Sequence, residues 1–216
     1  MNHKGTSNEI LIVILASIVL ALTYAFKETL TYALQDNQLL WKAALSFFVI
    51  LSINVLVKKA VGYHYETNVR TKFWTLQQFG FRKDHKFKKP IPMLWLPLII
   101  ALFSKGFLLW FGILEFDVEA KAERVSKRHG LYRFTEVTEW HMAIIAIFAL
   151  AANLIVAIIA YVAGLELLAK LSIYFIAWSV IPIGRLDGAK IFFGNKGLWI
   201  ATFAAAMIML IWGLVI

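Results

Sequence analysis

Five apolar runs dominate the chain of 216 residues: Ile10 to Phe26, Leu39 to Val57, Ile91 to Ile113, His141 to Ala163 and Leu198 to Ile216. Each is long or apolar enough to cross or enter a bilayer, which takes about 20 residues for a helix. A shorter sixth, Leu171 to Ile183, lies before the last of them. So many passes leave no room for a sizeable domain outside the membrane, so a single membrane domain over 1–216 is expected. Within hydrocarbon every backbone donor and acceptor must be satisfied inside the chain. The expected fold is therefore an all-α integral membrane bundle of about five to six transmembrane or re-entrant segments. Composition agrees, since 61% of the residues are hydrophobic, against roughly half in soluble globules.

The formal charge of +9 would suggest nucleic acid for a soluble protein. In a membrane chain it reads as loop asymmetry and contact with anionic headgroups, so membrane lipids are expected as partners and nucleic acid is not. Lys58 to Pro90 carries nine Lys and Arg residues against Glu66 and Asp84. The positive-inside rule puts this loop, with the amino terminus and the basic segment Lys121 to Arg133, on the cytoplasmic side. Ile91 to Ile113 is interrupted at Ser104-Lys105-Gly106 and has a basic loop on both flanks, so it reads as a re-entrant hairpin. Ile10 to Phe26 exceeds the roughly 7 to 15 residues of a signal-peptide core and is expected to remain as a first helix. Asp36 and Asn37 suit the start of the second.

Tyr63, Tyr65, Val69 and Phe73 alternate with polar residues, a period of two that predicts a small strand in the cytoplasmic loop. The cluster Arg82 to Lys89 reads as a topology signal. Cysteine is absent, which excludes disulfides, thiol catalysis and cysteine-held metal. Gly184, Gly188 and Gly194 are followed by no P-loop lysine pattern. A small transporter or lipid-binding protein is a further reading, but no inverted repeat supports it.

The chemically unusual stretch is Ser179 to Asn195, S-V-I-P-I-G-R-L-D-G-A-K-I-F-F-G-N. Asp187 falls between two apolar segments, where a charge costs roughly 2.5 to 3.5 kcal/mol on insertion scales and so calls for a partner or a job. Pro182 stops the preceding helix, and Gly184 and Gly188 allow the turns that point the carboxylate back into a bundle. The alternative is that Asp187 sits in a watery loop.

Pro182, Leu186, Asp187 and Gly188 form P-x-x-x-L-D-G, which resembles the closing motif of the site-2 protease family, the intramembrane zinc metalloproteases. In that family an Asn stands at the position of Ser179, and the Asp supplies the third zinc ligand. The family also has strand-rich structure after its first motif helix, and a helix with G-P-x-x-N. Asn153 matches that Asn, with Ala149 and Leu150 at the Gly and Pro positions. The resemblance covers residues 40–195 and implies an H-E-x-x-H helix where this chain reads Asn54-Val55-Leu56-Val57-Lys58. Asn54 and Lys58 replace the two His and Val55 replaces the Glu.

An ammonium repels zinc and valine takes no proton, so the inherited hydrolysis cannot run. The resemblance then implies a pseudoprotease that binds or holds transmembrane segments, with no cofactor. The alternative is a divergent intramembrane metalloprotease holding zinc through Asp187 and other ligands. Without zinc, Lys58 becomes a counter-ion for Asp187, unless it snorkels to headgroups instead. A substitute metal cluster of His141, Glu136 and Glu139 fails on helix geometry, because at about 100° per residue the three do not share a face. His141 is expected at a membrane interface beside Trp140. His64, His85 and His129 lie in polar segments.

Overall fold

The computed structural model describes residues 3–31, 37–78, 86–121 and 137–215. Asp36, Arg82, Lys83, His85, Arg124, Lys127, Arg128, His129, Arg133 and Glu136 lie outside those residues. The helices are α1 (His3–Thr31), α2 (Asn37–His64), α3 (Leu96–Phe103), α4 (Glu139–Val162), α5 (Glu166–Ser179), α6 (Asp187–Gly194) and α7 (Lys196–Val215). Among the described residues four helical stretches are long and apolar enough to cross a membrane: Asn8–Phe26, Gln38–His64, Glu139–Val162 and Lys196–Val215.

Val13, Ala16 and Leu20 of α1 pack into one core with Ala43, Phe47, Ile50 and Leu51 of α2. Hydroxyls inside α1 are satisfied along the helix itself: Ser17 donates to the Val13 carbonyl at 2.7 Å and Thr23 to that of Val19 at 2.8 Å. A second core joins Ile145, Ala146 and Leu150 of α4 to Ile176, Val180, Ile191 and Ala206. Between the two cores stands α5, whose Leu171, Ser172 and Ile173 are fully buried. With 14 residues it is about 21 Å long at 1.5 Å per residue, short of the roughly 30 Å hydrocarbon layer. The sixth apolar run is thus an internal helix. By contrast α7 is peripheral, touching Ile173 through Gly213 while Ile200, Ile208, Ile211 and Leu214 stay exposed.

Two small antiparallel pairs complete the fold, so it is not purely helical. Strand β1 (Thr67–Phe73) pairs with β4 (Leu114–Ala120), from Thr67 opposite Ala120 to Phe73 opposite Leu114. Strand β2 (Thr75–Gln78) pairs with β3 (Lys86–Pro92), with Thr75 opposite Pro92. The expected strand therefore exists but starts later than the alternation suggests. Tyr63 is the penultimate residue of α2, and Tyr65 lies in the turn that reverses the chain at Glu66, where φ is +53°. From Thr67 the period of two takes over, with Thr67, Val69 and Thr71 buried and the intervening residues exposed.

Trp74 joins the two pairs through both of its backbone groups. Its N–H donates to Ile113 O at 2.8 Å, and its carbonyl accepts from Met93 N at 2.9 Å. Residues 93–113 accordingly leave and return beside a single residue. They descend as a 3-10 turn, Met93–Trp95, and then α3. They reverse at Lys105 and Gly106, with φ of +52° and +78°, and Gly106 N closes the helix end on Ala101 O at 2.7 Å. The return arm, 108–113, has no helical structure. The third apolar run is therefore no single span, since eight helical residues cover only about 12 Å.

Candidate functional site, a buried ion pair

Helix α2 continues seven residues past the expected end of its apolar run, to His64, and this places Lys58 inside the helix. A spacing of four puts Asn54 and Lys58 on one face of α2. Asp187 opens α6, where a carboxylate suits the positive end of the helix dipole. The two charges meet: Lys58 Nζ lies 2.9 Å from Asp187 Oδ1 and 2.7 Å from Oδ2, with side chains 4% and 5% exposed. Asp187 is therefore not in a watery loop, and Lys58 does not reach out to headgroups.

Asn54, Lys58, Ser179 and Asp187 line one cavity, closed by Phe111 and Leu186. Its volume of about 10 Å³ is on the scale of a single water. Asn54 is 2% exposed, and its Nδ2 has no hydrogen-bond partner. Val55 points into the apolar core shared by α1 and α2. Asn153 is fully buried on α4 with neither amide atom hydrogen-bonded; it does not line the cavity. Pro182 is exposed on the link from α5 to α6.

The two glycines of this link differ in kind. Gly184 makes the turn expected of it, with φ of +59° under the Trp74 ring. Gly188 makes no turn; it sits in the first turn of α6, where an added Cβ would come 2.1 Å from Val180 O. It is needed for close approach to the end of α5, and that approach delivers Asp187 to Lys58.

The cover of the cavity is the return arm of the 93–113 excursion. Trp110 anchors it, with its ring centroid 6.0 Å from that of Trp74 and 4.7 Å from that of Trp178, and its indole N–H donating to Gly112 O at 2.7 Å. Outside the pair lies a charged layer that the sequence reading missed. Phe116 of β4 has Lys58 Nζ 4.7 Å and Lys190 Nζ 3.4 Å from its ring centre, and Lys190 also donates to the Phe116 carbonyl. Glu115 is fully buried, and its oxygens accept no directed hydrogen bond; they are offset instead by Lys72 at 3.3 Å and Arg185 at 3.9 Å. Asp117 pairs with Lys72 at 2.6 Å and Arg185 at 3.0 Å. Glu9 of α1 binds Lys59 and accepts from Thr71 N at 3.0 Å, tying α1 to both α2 and β1. The alternation in Leu114-Glu-Phe-Asp-Val-Glu-Ala120 was the available signal for β4 and its charges.

Partial burial pushes the Asp117 carboxyl up, but the Lys72 hydrogen bond and the charges of Lys72 and Arg185 outweigh it and hold the group below its ordinary 3.8. The Asp117 hydrogen bond raises Lys72 above 10.5 against partial burial. The carboxylate's contribution is thus present above its unfolded value and is lost as pH falls through the lowered folded one; the lysine's is lost only as pH rises past its raised value. Both side chains are more than a third exposed, so solvent screening keeps the term small. Asp117→Asn is expected to cost about 1 kcal/mol or less at pH 7 and to lose that difference from wild type below pH 3.8, as read by tryptophan-monitored unfolding in detergent.

Zinc does not fit the donor set around Asp187. Lys58 brings a cation, Asn54 a neutral amide, and Lys58 already occupies both carboxylate oxygens. His141 is held elsewhere, its Nδ1 2.6 Å from Thr138 Oγ1 and its ring against Tyr65. The chain matches no family model, no curated protein and no solved structure.

Proposed function

We propose that the chain is a site-2-protease-like integral membrane protein in which an ion pair stands in place of the metal, and that it holds transmembrane segments without cutting them. The supporting observation is a convergence. Asn54, Lys58 and Asp187, the three positions that the resemblance equates with zinc ligands, line one buried cavity although 129 residues separate the last two. A metal held between two helices crosslinks them; Lys58 and Asp187 do the same by charge. Val55 offers no proton acceptor where a general base would stand. In this reading the basic loops and the amino terminus face the cytoplasm, and 93–113 dips into the bilayer from that side. The outward apolar faces of the four candidate spans are then available to lipid and to client helices.

The inherited scaffold is tested by restoring the metal set. Asn54→His, Val55→Glu and Lys58→His together are expected to give about one zinc per folded chain by elemental analysis, lost again on adding Asp187→Ala. A folded triple variant that takes up no zinc removes the basis for the family relationship. The holding activity is tested by reconstituting wild type in vesicles with single-span peptides. Peptides that bind and are recovered at full length support the reading. Cleavage abolished by a chelator or by Asp187→Ala would establish the divergent metalloprotease instead.

A further inference from the structure

A second and larger cavity, of about 220 Å³, is lined in part by the charged layer itself and shares no lining residue with the first. Its walls come from four places: Asp117 on β4, Glu139 and Met142 in the first turn of α4, Gly184 and Arg185 on the link, and Lys190 and Phe193 on α6. It belongs to no position of the protease motifs. Two observations constrain what it could take.

The first is charge. Arg185 and Asp117 are paired across the wall at 3.0 Å; the other charges of the lining, on different elements, are Glu139 and Lys190, whose ammonium spends one of its three donors on the Phe116 carbonyl and keeps the others. A simple anion would meet Asp117 and Glu139, and a simple cation would meet Arg185 and Lys190. A ligand carrying one charge of each sign complements all four. The second observation is depth. Glu139 and Met142 begin a helix of mean hydropathy 2.8 that is long enough to span. Phe193, in the lining, is 68% exposed, as suits an aromatic ring at a membrane interface.

We propose that this cavity binds the headgroup of a zwitterionic phospholipid, with an aminoethyl phosphate as its chemistry: the phosphate meets Lys190 and Arg185, the ammonium meets Glu139, and the acyl chains pass over Phe193. On the measure by which the first cavity holds about one water, this volume has room for more than about ten, ample for a headgroup of about eight non-hydrogen atoms. Burial pushes the Lys190 ammonium down to about 7, only partly countered by Asp187, and a phosphate beside it would favour the charged form. A primary ammonium also donates hydrogen bonds to Glu139, which a quaternary one cannot.

The test uses the full chain purified in detergent and titrated with phosphatidylethanolamine, phosphatidylcholine and phosphatidylglycerol, with bound lipid counted by native mass spectrometry. Phosphatidylethanolamine is expected to be retained about tenfold over the other two, a difference of about 1.4 kcal/mol. Glu139→Gln should abolish that preference, whereas Lys190→Gln, which touches the phosphate common to all three, should weaken retention of each of them. Stronger retention of phosphatidylglycerol, unchanged by Glu139→Gln, overturns the zwitterionic assignment, as does equal retention of all three. Soluble phosphoethanolamine binding as tightly as the lipid overturns the membrane source. Should Lys190→Gln fail to fold through loss of its Phe116 contacts, Glu139→Gln, on an exposed side chain, decides alone.

Discussion

Lys58→Met is expected to destabilise the protein by about 3 to 5 kcal/mol, the range for removing one partner of a buried pair. Methionine matches the aliphatic stem of lysine, so packing around α2 is largely kept and the loss falls on Asp187. That carboxylate is 4% exposed, and its two oxygens have Lys58 as their charged partner at hydrogen-bonding distance; unpaired, it would have to take up a proton or drag water into the core. Lys190 is close enough to feel Asp187, but it is already committed to the Phe116 carbonyl and ring. Adding Asp187→Asn removes the stranded charge and should recover most of the loss, because neutral replacements of buried pairs are often tolerated. The measurement is reversible unfolding in detergent for the two single variants and the double. A Lys58→Met protein as stable as wild type would mean that the pair contributes nothing.

Gly188→Ala should be nearly as damaging, at about 3 kcal/mol, the upper range for overpacking. The new methyl would meet Val180 O at 2.1 Å, Val180 C at 2.3 Å and Ile181 O at 2.6 Å. All three are backbone atoms at the end of α5 and cannot rotate aside, so α6 must move as a body and carry Asp187 from Lys58. Gly164→Ala is the control. Its φ of +75° disfavours a side chain, but nothing lies within 4 Å, so only the conformational cost of about 1 to 2 kcal/mol applies. Thermal unfolding of the two variants should rank them in that order; equal losses would show that the α5–α6 contact yields.

The ease with which Asp187 and Lys58 were singled out from the sequence has a physical basis. Charges in apolar runs are conspicuous because their cost is large, and that cost demands a partner. The long spans were legible for the same reason, since about 20 apolar residues in a row have few other uses. Glu115, Asp117 and Lys190 were not legible, because a strand of seven residues such as β4 has a weak periodic signal and its partner β1 lies 47 residues earlier, Thr67 opposite Ala120 at one end and Phe73 opposite Leu114 at the other being far apart in sequence. The role of Gly188 was misread as a turn because local sequence cannot report a neighbour brought in by tertiary packing. The break in 91–113 was legible at Ser104-Lys105-Gly106, where the chain reverses; that the return arm is not helical and is fastened to Trp74 was not, because Trp74 lies outside the run.

Because both ends of the 93–113 excursion are fastened to the N–H and C=O of one tryptophan, the excursion is topologically a closed handle. Residues gained or lost at its tip, between Ser104 and Phe107, are absorbed within the handle and change the register of neither strand pair. The cover over Asn54, Lys58 and Asp187 can therefore vary in length and chemistry while the floor stays fixed. Trp74 is the opposite case: one backbone displacement there shifts β1, β2, the handle and, through its ring, the Gly184 link together.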